Sequence, residues 1–345
     1  MVRRVFDRLM DSRVAAISDA GLDKSTRIEI ARRHGDFTQA YSTAVQDGLR
    51  HFGDADGYIA YGIRMGSVIA LADPVAPTER RPQLIADFVA AADRPSFAEI
   101  SHETATILSG LGYKIAGMGY DTALDLGGYD FSGKRMERIR HAAHWLARHG
   151  YSIVEVDDLP DPETAVATLS KEWRGSRPVK RREMAFMNRP LSLEPDPLMR
   201  RFVLVSPQGD AVALVWFDPV FSGGEAIGYV ATFKRRLPDA PSHAEYGIMK
   251  RAIDLFREEG RAHVFLSLAP LADPGPSGFA ESAAFRRTAE AMFRSSLINR
   301  KIFNIQGHAE QRRRFYGRKI PRYFAWAKGS PFVHFISLLR LCKAF

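Results

Sequence analysis

Hydrophobic and polar positions along this chain fall into short strand-like runs separated by longer helix-like stretches. Gly57-Tyr58-Ile59-Ala60-Tyr61-Gly62 and Ser67-Val68-Ile69-Ala70-Leu71-Ala72 read as a hairpin closed by Arg64-Met65-Gly66. Asp73-Pro74-Val75 stops it, and a helix is expected around residues 84–92. Residues 133–149 place Met136, Ile139, Ala143 and Leu146 on one face of a basic amphipathic helix that ends at Gly150. The second half repeats this grammar. Strands over 202–206 and 211–217 flank the turn Pro207-Gln208-Gly209-Asp210, and the second strand runs into Asp218-Pro219-Val220, 145 residues after the first such tripeptide. A helix over 244–258 and a strand over 263–268 follow. Two hairpins with matching endings predict a duplicated α/β unit.

With 345 residues, 46% hydrophobic and 26% charged, the chain can bury one large core or two of ordinary size. Disordered, collagen-like and low-complexity classes are excluded. One cysteine, Cys342, excludes a disulfide framework and a cysteine-based zinc cluster, and fits a reducing compartment. No apolar run approaches the ~20 residues of a membrane span, and no long apolar stretch follows Arg3 and Arg4, so a cytoplasmic protein without a signal peptide is expected. The net charge of +9 is concentrated. Residues 296–345 hold eleven Lys/Arg against one acid, Glu310, for +10, and leave −1 for the rest. Such a local patch, interleaved with Phe315, Tyr316, Tyr323, Phe324 and Trp326, implies an anionic partner; a solvated tail helix is the plainer alternative.

Common catalytic motifs are missing: there is no Gly-x-Ser-x-Gly, His-Glu-x-x-His, P-loop or Gly-x-Gly-x-x-Gly. His141 and His144 read as surface histidines rather than a metal pair. Arg257-Glu258-Glu259-Gly260-Arg261-Ala262 matches the Arg-x-x-Gly-x-Ala pyrophosphate loop of coenzyme-A-dependent acetyltransferases. That loop needs a strand before it and a helix after it, whereas here the order is reversed, so Gly260 reads as a helix cap.

Phe265-Leu266-Ser267-Leu268-Ala269-Pro270-Leu271 and the basic-aromatic segment after it resemble the C-terminal catalytic region of the phosphatidylglycerol lysyltransferase family. The resemblance runs from about Gly35-Asp36 to Trp326. Ala72-Asp73-Pro74 looks like the family's Gly-Asp-Pro turn, and Asp125-Leu126, Phe131, Gly133-Lys134 and Arg138 look like its lead into a basic helix. Trp173, Glu183 and Phe186 match Trp…Glu-x-x-Phe. Thr232-Phe233-Lys234-Arg235 falls where the family has Asp-Leu-Met-Arg, with Pro238-Asp239-Ala240-Pro241 just after. Gly307, Arg312, Arg314, Phe315, Pro321, Arg322 and Tyr323 fall on the tail Gly…Lys-x-Lys-Phe…Pro-Arg-Tyr. Departures include Thr232 for an acid, His243 and Ser267 each for a Gly, His308-Ala309 for Leu-Arg and Lys319 for a Trp. No counterpart of the multi-span flippase region that many members carry is seen, so a stand-alone soluble member is expected.

The resemblance implies an α/β fold of two tandem acetyltransferase-like (GNAT) domains with mixed central sheets. Its expected organisation is a helical extension over 1–34, a first domain over 35–155, a second, catalytic domain over 156–330 and an amphipathic segment over 331–345. The activity implied is transfer of an amino acid from aminoacyl-tRNA to phosphatidylglycerol or a similar polar lipid, with no cofactor or metal. The partners implied are aminoacyl-tRNA as donor, an anionic phospholipid or membrane surface at the inner face of the membrane, and a separate membrane flippase. Two alternatives stand beside it: an acyl-CoA or acyl-carrier N-acyltransferase, and a non-catalytic module binding RNA or anionic membrane.

By family position, Arg235 and Glu245 are the catalytic candidates. Arg235 would anchor a phosphate or stabilise developing negative charge, unless it is a surface arginine beside Lys234 and Arg236. Glu245 opens a helix, where a carboxylate also favours the dipole. Glu183 would bind the donor's ammonium or pair with Lys180, Arg181 and Arg182. Arg312, Arg314 and Arg322 would hold a phosphate, with Phe315 and Tyr323 packing the loop or stacking on a base. Trp173 reads as core. Residues 331–345 would lie in a membrane interface or dock on the protein's own surface.

Overall fold

The computed structural model describes residues 7, 9–176, 183–192, 194, 196–301 and 303–344. The expected pairing of Glu183 with Lys180, Arg181 and Arg182 lies outside them. The N-terminal half contains helices α1 (Lys24–His34) and α2 (Ala40–Val45), followed by strands β1 (Arg50–Asp54), β2 (Gly57–Arg64) and β3 (Ser67–Leu71). Helix α3 (Arg81–Ala91), strand β4 (Ser96–Ile100), helix α4 (His102–Gly110) and strand β5 (Lys114–Asp125) complete it. Helix α5 (Glu137–Arg148), strand β6 (Ser152–Glu155) and helix α6 (Pro162–Ser176) lead to the antiparallel strands β7 (Arg200–Val205), β8 (Ala211–Ser222) and β9 (Glu225–Arg236). Helix α7 (Ala244–Glu258) crosses to β10 (His263–Phe265) and the short β11 (Ala269–Pro270). The chain closes with α8 (Ala283–Arg294), α9 (Ser296–Lys301), α10 (Ile305–Arg313), β12 (Arg318–Trp326) and α11 (Pro331–Leu341).

The β2–β3 turn is the two-residue kind. Met65 and Gly66 both have positive φ (53° and 73°), the backbone twist that matches flanking antiparallel strands. Helix α7 forms because Ala244, Ile248, Met249, Ala252, Ile253 and Phe256 make one buried stripe at helical spacing. It ends as expected at Gly260 (φ 75°), where Arg261 N–H donates to Phe256 O at 2.9 Å. Helix α5 starts later than expected, after a 3₁₀ turn at Lys134–Met136, and buries Ala142 rather than Ala143 with Ile139 and Leu146.

All strands join one mixed sheet in the order β1-β2-β3-β4-β12-β5-β10-β9-β8-β7-β6, with β11 pairing on β5. The mixed α/β class is therefore as expected, and each half holds one parallel pair reached through a helix, β3 with β4 through α3 and β9 with β10 through α7. Two expectations are corrected. Asp218-Pro219-Val220 does not end a hairpin: β8 continues through it to Ser222. Pro219 lies past the end of β7, which stops pairing at Phe217, so β8 is flanked there by β9 alone among the strands. Strand β12, expected within the 156–330 unit, instead lies among strands of the first half, between β4 and β5.

Helix α11 of the expected 331–345 segment docks on the protein: Leu341 packs over Gly62 of β2, and Ser337 and Leu338 are buried. The other face leaves Phe332, Val333 and Ile336 exposed. No helix among the described residues is long and apolar enough to cross a membrane.

Gly119 of β5 marks one of the tightest approaches in this sheet. Its φ is 125°, and a Cβ there would sit 2.1 Å from Ala269 O of β11. Gly119→Ala is expected to destabilise the fold by about 2 kcal/mol or more, read as a lower denaturant midpoint at unchanged slope. An unaltered midpoint would mean that β11 does not pack against β5 in solution.

Candidate functional site

Both parallel pairs are short, and beyond each the strands diverge. Pairing of β3 with β4 ends at Leu71 and Ala98; pairing of β9 with β10 ends at Val230 and Phe265. A β-bulge sits just past each end. Phe324 faces Ala98 and Tyr323 faces Ile100, so Glu99 is the extra residue of β4. Phe217 faces Ala231 and Trp216 faces Phe233, so Thr232 is the extra residue of β9. Bulges re-aim side chains, and here both point into one space between the halves. Gln39, Glu99, Arg189, Thr232, Phe233 and Ser267 line that cavity of about 20 Å³, room for about one water. Glu99 and Ser267 both adopt left-handed backbone (φ 61° and 60°), a conformation that non-glycine residues keep only where the surroundings enforce it.

The wall beneath Glu99 is strongly charged. Gln39 Nε2 donates to Glu99 Oε2 at 3.0 Å and to Met187 O at 3.0 Å. Asp121 Oδ2 accepts from Thr38 Oγ1 (2.8 Å) and from Arg322 Nε (2.9 Å), while Arg322 Nη1 lies 3.7 Å from Asp73 Oδ2. Asp121 Oδ1 is buried without a hydrogen-bond partner. Burial, reinforced by the negative charge of Asp121, pushes the Glu99 carboxyl up to about 8. On the opposite wall Arg189 is buried against Asp218 (Nη2 to Oδ1, 2.7 Å) and lies 5.3 Å over Phe233.

The two catalytic candidates stand on opposite faces of the sheet, because Lys234 and Arg235 are successive residues of β9. Arg235 is buried, donates to Glu183 Oε2 at 2.7 Å and stacks 4.6 Å over Trp173, while Glu183 also takes Arg174 Nη1 at 3.0 Å. It is therefore no surface arginine. Glu245 pairs with Lys234 at 2.8 Å on the other face. Burial works against the Glu245 carboxylate, but Lys234 outweighs it and holds its pKa below the usual range.

The expected anion binders are placed differently. Arg312 is buried and spends its guanidinium on the chain itself: Nε on Leu266 O (3.0 Å) and Ser267 O (2.9 Å), Nη2 on Ser267 Oγ (3.0 Å). Arg322 is buried among Asp121 and Asp73. Arg314 is half-buried against Glu310 and Tyr246. Phe315 is fully buried in the core beneath α7, and Tyr323 is buried against His102 and Phe279, so neither ring offers a face to a base. Much of the remaining basic segment is answered by acids from earlier in the chain: Arg313 and Lys319 by Asp273, Arg318 by Asp125, Lys328 by Asp93. His141 and His144 are exposed, and no group of three potential metal ligands exists among the described residues.

Sequence reasoning missed Glu99, Asp121, Gln39 and Arg189. A signal existed for the first two: Glu99 is the one carboxylate of the otherwise buried β4, and Asp121 sits within the buried middle of β5.

A small bulged, charged cavity thus lies between two halves that share one mixed α/β sheet. The family model described as phosphatidylglycerol lysyltransferase, C-terminal, matches residues 27–326, and the chain belongs to that family. Among curated proteins, the phosphatidylglycerol lysyltransferase of Bacillus subtilis (strain 168) is 24% identical over 229 residues, 64% of this chain. The chain spans only 26% of that protein's length. Two solved structures share the fold. A C-terminal domain (DUF2156) from Agrobacterium fabrum has a TM-score of 0.74 at 22% identity, covering 92% of this chain and 94% of that one. L-PGS from Bacillus licheniformis has a TM-score of 0.73 at 18% identity, covering 95% and 99%.

The burial of Phe315 carries a prediction. Phe315→Ala is expected to cost about 3–5 kcal/mol of stability, seen in denaturant unfolding. A variant of normal stability with weakened RNA binding would instead return Phe315 to a ligand-facing role.

Proposed function

We propose that this chain is an aminoacyltransferase moving an amino acid from aminoacyl-tRNA to phosphatidylglycerol or a similar polar lipid, with its reaction centre in the bulged cavity. The observation that carries this reading is the family match over 27–326, a span that includes every residue lining the cavity. An ester donor is already activated, so a site must align a hydroxyl with the carbonyl, stabilise the oxyanion and move one proton. Glu99, Arg189, Thr232 and Ser267 are groups of the kinds that do this. The acyl-CoA alternative is disfavoured because Gly260 and Arg261 spend their N–H groups on carbonyls of α7, not on a phosphate.

A surface for the donor RNA is supported on α5 and its neighbours. Trp145 stacks on His149 (3.8 Å between centroids) and on His243 (4.7 Å), with His141 beside the latter. Arg138 lies over Tyr246, and Arg135 over the exposed Tyr316. Burial, with the nearby His141 and Arg138, holds the His243 pKa down, a sign of local positive potential. Aromatic faces interleaved with cations fit single-stranded RNA ends. For the lipid side, the exposed Phe332, Val333 and Ile336 of α11 fit a peripheral contact at the inner face of a membrane, where a separate flippase would take the product onward.

Transfer of labelled amino acids from a charged total-tRNA pool into anionic vesicles tests the reaction. Label in the lipid fraction is expected; none with any amino acid would overturn the reading, and RNA or vesicle binding without turnover would favour the non-catalytic module. Arg135→Ala with Arg138→Ala should weaken tRNA binding regardless of sequence, lowering the salt slope by about one unit per lost phosphate contact. An unchanged slope would move the RNA elsewhere.

A further inference from the structure

The N-terminal half supplies more than a wall to the cavity. Glu99 is the bulged residue of β4, held in left-handed backbone with its N–H donated to Met118 Sδ at 3.3 Å. Only 2% of the residue is exposed, yet its carboxyl borders the space it shares with Thr232 and Ser267 of the other half. The two neighbouring carboxylates are engaged otherwise, Asp121 and Asp73 both by Arg322, whereas Glu99 has one neutral side-chain donor, Gln39. Of the three, Glu99 is therefore the carboxyl left available to exchange a proton with a guest in the cavity.

We propose that Glu99 is the proton-transfer residue of the site. Its carboxylate accepts the proton of the acceptor hydroxyl as that oxygen bonds to the aminoacyl carbonyl carbon. The resulting carboxylic acid returns the proton to the ribose oxygen as the ester C–O bond breaks, so the group ends as it began. This role rests on the aminoacyl-transfer reading above. It places the acid–base group on the half expected to be the inactive partner.

The charged and titratable groups around Glu99 are Asp121 on β5, Asp73 after β3, Arg322 on β12, Arg312 on α10, Arg189 across the cavity and Cys342 after α11. Burial and Asp121 raise its pKa toward 8, Asp73 adds to this, and Gln39 and Arg322 oppose it. A base must be deprotonated to act, so transfer should rise with pH through about 8. Folding gives a second, independent readout. Between the ordinary glutamate value of 4.5 and about 8, the folded chain holds a proton that the unfolded chain releases, so Glu99 lowers stability as pH climbs through that window.

Glu99→Gln and Glu99→Asp, measured beside wild type, test the role. Glu99→Gln is expected to lose about 10²–10⁴ in kcat with little change in KM for charged tRNA, and to lose the alkaline rise. Glu99→Asp should recover part of the rate. The decline in stability across the same pH window should also flatten in Glu99→Gln. Transfer within about twofold of wild type with the same pH rise would overturn the proposal and leave the transferase reading intact. So would a slow variant whose residual rate keeps that rise, since it marks a structural role. A wild type that transfers nothing while the stability decline still depends on Glu99 would overturn the transferase reading, and this role with it.

Discussion

Arg322 meets Asp121 across 201 residues of sequence, and the charged wall beneath Glu99 is built on that meeting. Strand β12 comes late in the chain yet lies between β4 and β5, and Arg322 is the side chain it carries into the charged wall. A buried ion pair is a poor source of net stability, because desolvating both charges offsets most of their attraction. Losing one partner is the costly event: without Arg322, Asp121 and Asp73 would remain buried with their principal counter-charge gone. The register of β12, and with it the bulge that turns Glu99 inward, is tied to this requirement.

Two bulges at matching places give the molecule its internal symmetry. In each half a three-residue parallel pairing ends, the strands part, and one extra residue turns toward the gap. The halves differ in what they present there. One offers an acid backed by other acids; the other offers hydroxyls, Thr232 and Ser267, with Ser267 fixed by Arg312. An apparent sequence repeat, Asp73-Pro74-Val75 and Asp218-Pro219-Val220, is unrelated to this symmetry: the first follows β3, and the second lies inside β8.

Elements with a strong local pattern were legible in the sequence. Helix α7 has its stripe and its Gly260 cap, and the β2–β3 hairpin has its two-residue turn, because neighbours in sequence decide these features. The placement of β12 was not legible, since strand order comes from contacts hundreds of residues apart. The family tail lies at Arg312 to Tyr323 as its motif indicates, yet residue type alone could not tell an arginine that faces a ligand from one that braces a loop. Glu99 and Asp121 were readable in principle as carboxylates breaking buried strands, but Gln39 and Arg189 come from a loop and an irregular segment with no periodicity to betray them.

The uneven charge of the chain acquires a different meaning from these contacts. A segment of +10 beside a remainder of −1 looks like a tail reaching for an anion. In the fold, Arg322, Lys319, Arg318, Arg313 and Lys328 answer Asp121, Asp273, Asp125 and Asp93, so much of the imbalance is internal pairing between late cations and earlier acids. Beside α5, cations lie over aromatic rings instead, Arg135 over the exposed Tyr316 and Arg138 over Tyr246. Which cations stay unpaired is thus set by the fold, and the run Arg312-Arg313-Arg314 is engaged internally, with Leu266 and Ser267, Asp273 and Glu310.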